Sequence, residues 1–265
     1  MNLKGDYWKY YTQVEYNSPV YYMEVDENGK TKRLNKCCFP VRLVDWDEYN
    51  EVAYPILSIS PTLLTRRLKI EEGKISLFDF VVLALIEEDK IANMEKMFSM
   101  AFREPVSAKV YKKGTDHEVR FVFDENPDKF FINKDNYLQV REILMVQSFY
   151  FDPIVGENEK SQRVIDKAIQ RIIRNNTGTE TNLESQISLV RSEFGERDWS
   201  NYTYYELRVD YSTIMKKENF RAIHVYRVLG SDAKIPELGA ISDAHINPLG
   251  EEVLFKKNDK SKDKL

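Results

Sequence analysis

Hydrophobic and polar positions alternate in two stretches of the first half of the chain and recur at helical spacing almost everywhere else. "VYYMEVDENGKTKRLNKCCF" sets two β-prone runs around Asn28-Gly29. That dipeptide supplies the positive φ angles of a tight turn, so strands are predicted near 20–25 and 31–37. "VSAKVYKKGTDHEVRFVFD" alternates on both sides of a Lys-Lys-Gly-Thr-Asp turn. Val119, Phe121 and Phe123 then share one face, as a half-buried hairpin requires, and "KFFIN" offers a third strand. Between the hairpins, "FPVRLVD" reads as extended and "DWDEYNEVAY" as a short helix stopped by Pro55. Ser60 with Pro61 makes a local helix start. Ser76 opens "SLFDFVVLALIEEDKIANMEKMFSMAF", apolar all round at first and amphipathic later, which predicts one or two core helices.

Further on, Asn136 and Gln139 resemble a capping box ahead of an apolar stripe of Tyr137, Val140, Ile143 and Leu144. Asp152-Pro153 is expected to end that helix. "DPIVGENEK" marks a domain boundary. Beyond it the strand signal disappears, and 158–174, 182–194, 204–217 and 219–229 read as helices. Two Thr-x-x-Glu signals, Thr181 with Glu184 and Thr203 with Glu206, start two of them, and Gly195 and Gly230 sit where left-handed residues close helices. Leu207, Tyr211, Ile214 and Met215 fall on one face. The expected class is α+β: a mixed domain over 1–155 with β-hairpins and core helices, a helical bundle over 156–255, and a disordered charged tail over 256–265.

Composition narrows the function classes. The 265 residues are 42% hydrophobic, with sixteen Tyr, fourteen Phe and three Trp, as in a globular protein. A net charge of −4 and a pI near 5.6 argue against general nucleic-acid binding, which needs a Lys and Arg surplus. The only cysteines, Cys37 and Cys38, are adjacent, lack spaced zinc-ligand partners and fit a reducing compartment. The stretch "MNLKGDYWKYYTQVEY" contains no apolar h-region, and the longest apolar run, Phe80 to Ile86, is too short to span a bilayer, so a soluble protein without membrane contact is expected. The final "KDKL" reads as part of the charged tail rather than as a retention signal.

Candidate chemistry is sparse. His117, His224 and His245 form no local ligand pattern, and no phosphate-cradling or nucleophile-elbow motif is present. Asp45, Asp47 and Glu48, with Asp124, Glu125 and Asp128, would have to converge to make a metal-dependent nuclease; the simpler reading is a helix first turn and a polar turn. Met94, Met97 and Met100 with Phe98 read as a core helix face rather than as an adaptable surface. Lys160, Arg163, Lys167, Arg171 and Arg174 stripe one predicted helix, diluted by Glu157, Glu159 and Asp166. Such a stripe serves as a solvated face, as a contact for an acidic protein or as a nucleic-acid-binding regulator's surface. No cofactor, no metal and no catalytic residue is assigned.

The segment "DWSNYTYYELRVDYSTIMKKENFRAIHVYRVLG" resembles the helical region of tail assembly proteins of tailed bacteriophages, the chaperone-like products encoded beside the tape measure protein. "NYLQVREILMVQSFYFDPIVGENEKSQRVIDKAI" resembles the segment that precedes that region, so the likeness covers roughly the C-terminal half. The resemblance implies a non-enzymatic chaperone that acts in the host cytoplasm and holds the tape measure protein, or another tail protein, soluble during tail assembly. A structural component of the tail or baseplate, retained in the virion, is the alternative. On the implied helix-in-groove role, Phe149, Tyr150, Phe151, Trp199, Tyr202 and Tyr205 would contact the partner, with Arg163, Lys167 and Arg171 as a charged rim. Homo-oligomerisation stays open.

Overall fold

The computed structural model describes residues 18–25, 29–60, 62, 75–113, 116–123, 129–151, 155–156, 158–176, 182–195 and 197–228. Contacts divide these into two compact units. One holds the described residues up to Phe151 together with Arg197–Leu207; the other holds those of 152–196 and those from Arg208 onward.

In the first unit, β1 (Ser18–Val25) and β2 (Thr31–Cys38) pair antiparallel with Tyr21 opposite Asn35. Gly29, at φ +73°, takes the left-handed conformation their connection needs. A second antiparallel sheet runs in the order β3 (Ser107–Lys113), β4 (Asp116–Val122), β5 (Phe131–Ile132). Four helices cover them: α1 (Trp46–Leu57), α2 (Leu77–Glu87), α3 (Ile91–Phe102) and α4 (Tyr137–Gln147). The three helices of the second unit bring the total among the described residues to seven, and two small sheets with seven helices make the α+β class.

Alternation along β4 turns Phe121 into the core. Its ring meets Phe98 of α3 at 5.1 Å and Phe78 of α2 at 6.0 Å, both edge-on, while Phe102, Phe123 and Phe130 extend the cluster. Met94, Met97 and Phe98 are fully buried, so this face of α3 is core. Ser76 caps α2 by accepting from the Asp79 amide at 3.0 Å. The long apolar segment becomes two helices, separated where Asp89 adopts φ 55°.

Three expectations change in this unit. Pro55 does not stop α1, which runs through it to Leu57. A proline so near a helix end costs one ladder bond, and two groups hold the last turn: the Ser58 amide donates to Tyr54 O, and Arg141 donates to the carbonyls of Leu57 at 2.7 Å and Ile59 at 3.0 Å. Asn136 precedes α4 but makes no side-chain cap; its amide group instead closes the β5–α4 turn, accepting from Asn133 N and donating to Phe131 O. Helix α4 ends at Gln147, ahead of Asp152-Pro153, because Phe149 turns left-handed at φ 54° and Tyr150 N reaches back to Met145 O.

The second unit contains α5 (Glu159–Asn176), α6 (Leu183–Phe194) and the greater part of α7 (Tyr204–Val228), whose first residues belong to the first unit. Asn182 caps α6 by accepting from Ser185 N at 2.8 Å; Thr181, expected in that role, lies outside the described residues. Gly195 follows α6 at φ +75°. The two helices expected over 204–217 and 219–229 are one, since "MKKENF" contains no breaker and Glu218 pairs with Arg221 one turn on. Leu207 and Ile214 of the expected stripe are buried, whereas Met215 is exposed. Gly230 and the charged tail lie outside the described residues. Among those residues no helix is long and apolar enough to cross a membrane.

Arg141 and Tyr137 make opposite predictions from neighbouring positions. Arg141→Met keeps the aliphatic bulk but leaves one buried and one part-buried carbonyl without their charged donor, so urea unfolding should show a loss of about 2–3 kcal/mol. The Tyr137 hydroxyl is buried without a hydrogen-bond partner among the described residues, so Tyr137→Phe should change stability by less than ~1 kcal/mol. Burial also holds the Tyr49 and Tyr137 phenols above the usual tyrosine range. Their contribution is therefore complete below pH 10.0, the ordinary value, and is lost as pH rises beyond it. A spectrophotometric titration should find these phenols ionising together with unfolding.

Candidate functional site

Arg197–Leu207 returns the chain to the first unit and closes on the segment before α1. Leu43 N donates to Tyr202 O at 2.7 Å, Tyr204 N donates to Val41 O at 3.0 Å, and Arg42 and Thr203 form an antiparallel bridge between them. Thr203 is then the N-cap of α7. Its amide donates to Glu206 Oε2 at 2.8 Å while its hydroxyl oxygen accepts from Glu206 N at 3.2 Å, the reciprocal capping box that the sequence predicts here.

Aromatic rings fill the joint. Trp46 and Tyr204 stack face to face with centroids 3.4 Å apart, and Phe149 stacks on Tyr205 at 5.2 Å. The left-handed turn at Phe149 aims its ring here and places Tyr150 against Tyr54 at 5.3 Å, with the Tyr150 hydroxyl on Asn50. Trp199 meets Tyr202 edge-on at 4.9 Å. Of the six aromatics expected to contact a partner, Phe149, Tyr202 and Tyr205 are buried, while Tyr150, Phe151 and Trp199 are half-buried. Most of their area is engaged within the chain, and five of the six join this clip.

The basic residues form a separate group. Arg163 and Lys167 are exposed on α5 in the second unit, the helix that also contains Arg171. The acidic residues near 45 are engaged locally: Asp45 accepts from Arg42 at 2.7 Å, Glu48 pairs with Lys96 at 2.6 Å, and Asp47 lies in the first turn of α1. Asp124, Glu125 and Asp128 lie outside the described residues, as does His245, and His117 is exposed on β4. Among the described residues no group of three or more His, Cys, Asp or Glu is placed to hold a metal.

A polar network that the sequence reading passed over lies between the two sheets. Asn133 donates to Glu118 Oε1 at 2.6 Å and to Asp135 Oδ2 at 3.2 Å, and Tyr22 of β1 donates to the same Asp135 oxygen at 3.2 Å. Arg120 binds Glu118 through Nε at 3.1 Å and Nη2 at 2.8 Å, and its guanidinium lies over Phe131 at 4.0 Å and Tyr111 at 5.1 Å. Burial raises the Tyr22 phenol above its usual range, the hydrogen bond with Asn133 opposes this, and the Asp135 charge reinforces it. The alternation that buries Phe121 also puts Glu118 and Arg120 on the opposite face of β4, which was the available signal. Chemically, one carboxamide bridges two carboxylates and joins the β1–β2 ribbon to the second sheet.

Asn133→Asp would set a third carboxylate among these two, with its folded pKa raised by burial and like charge. The variant should approach wild-type stability near pH 4 and fall about 2–4 kcal/mol below it at pH 7, read by urea unfolding at both values. Tyr205→Ala should cost about 3–5 kcal/mol and open the clip to limited proteolysis within 197–207. Set beside known proteins, the chain matches no family model, no curated protein and no solved structure.

Proposed function

We propose that the protein is a non-enzymatic assembly factor of a tailed bacteriophage, binding the tape measure protein and keeping it soluble in the host cytoplasm while the tail is built. The residues that carry the family resemblance take the form of an aromatic clip followed by a single 25-residue helix. One observation supports a helix-binding role most directly. Helix α2 is apolar nearly all round; it buries Leu77, Phe78, Val81 and Val82 yet leaves Leu83 and Ile86 more than half exposed, with Ile75 exposed just ahead of it. A tape measure chain is a long run of amphipathic helix, and an exposed stripe of this kind is the surface such a helix covers.

Co-expression with the tape measure protein of the same genome, followed by affinity capture and a solubility assay, tests this reading. A soluble complex is expected, and Leu83→Ser with Ile86→Ser should reduce capture about tenfold or more, because each buried aliphatic contact is worth about 1.5–3 kcal/mol. An insoluble partner with no capture would overturn it. Recovery of the chain in purified particles would instead make it a structural part of the tail.

A further inference from the structure

Helix α5 divides its faces by chemistry. Ile165 is buried and Ala168 and Ile169 are half-buried, so the apolar side is turned away from solvent. Lys160, Arg163 and Lys167 are exposed on another side, a ridge of about 10 Å at 1.5 Å per residue. Several other exposed cations are matched: Lys217 with Glu193, Arg221 with Glu218, Lys96 with Glu48 and Arg42 with Asp45. Lys160, Arg163 and Lys167 have no carboxylate partner among the described residues. Along one border of the ridge Val164 is 56% exposed, and on the other lies Asp166, which accepts from Gln162 at 2.9 Å.

We infer that this ridge docks an acidic amphipathic helix of a partner protein, whose carboxylates meet Lys160, Arg163 and Lys167 while an adjoining apolar side chain covers Val164. The inference rests on the helix-binding reading above and names the chemistry of the bound segment. The borders decide against other anions. A lipid surface needs an apolar face to insert, and that face of α5 is already packed inward. A phosphate backbone has no use for exposed Val164, is opposed by Asp166 and meets a chain of net charge −4. A helix of mixed chemistry matches an apolar border, a basic ridge and an acidic border together.

Fluorescence anisotropy on the full chain tests the inference with three labelled probes: an amphipathic peptide of about 20 residues carrying Glu at i, i+4 and i+7 beside a Leu stripe, the same peptide with Lys for Glu, and a short DNA duplex. The acidic peptide should bind, the Lys peptide should not, and Arg163→Glu with Lys167→Glu should weaken binding about tenfold. Raising salt from about 50 to about 200 mM should weaken it as well. If the charge reversal unfolds the chain, Arg163→Gln with Lys167→Gln gives the same reading at smaller amplitude. No binding of the acidic peptide, unchanged binding by the variants, or tighter binding of the duplex overturns the inference. Capture of the tape measure protein undiminished by the double variant would sink the inference and leave the proposed function standing, whereas no capture by the wild-type chain would sink the proposed function itself.

Discussion

Two backbone hydrogen bonds, Leu43 to Tyr202 and Tyr204 to Val41, fix where the chain must meet itself. They close a loop of about 160 residues, and the entropy of bringing such distant points together is on the order of 4–5 kcal/mol before any constant term. Two exchanged amide bonds contribute about 1–3 kcal/mol. The remainder has to come from the rings seated around them, Trp46 on Tyr204 and Phe149 on Tyr205. The density of aromatic residues at 149–151 and 199–205 is thus explained by closure. The same demand accounts for the left-handed Phe149: a bulky residue is held at positive φ because the ring it positions is needed at the joint.

Elements set by local chemistry were legible in the sequence. The hairpin strands follow from alternation and turn residues, Thr203 caps the helix it was expected to cap, and α3 buries Met94, Met97 and Phe98 as its period requires. What escaped was decided by which partner a polar or backbone group takes in the fold. Pro55 reads as a stop signal, yet α1 passes through it because Arg141, more than eighty residues later, binds the carbonyls at its end. Asn136 reads as a cap, and the nearby Asn133 amide takes its side chain instead. Local rules see neither the distant donor at the end of α1 nor the choice of turn over cap at Asn136.

The candidate sites divide along the same line. The basic ridge on α5 needs only helical spacing, so it was visible from the sequence, and Arg163 and Lys167 are exposed as that spacing demands. Aromatic clusters give no such signal, because ring area used for closure and ring area offered to a partner look alike in one dimension. The network of Tyr22, Glu118, Arg120, Asn133 and Asp135 draws on β1, β4 and the turn after β5, and alternation marks only its β4 members, not the partners they meet.

The clip also has a consequence for synthesis. A ribosome adding about 5–20 residues per second needs roughly ten to thirty seconds to travel from Val41 to Tyr204. Throughout that interval Val41 and Leu43 lack the strand that completes them, and Trp46 lacks the ring that covers it. The first unit is thus an edge waiting for the far end of its own message, and each nascent chain passes through a period in which an aromatic surface stands open to whatever else the cell is making.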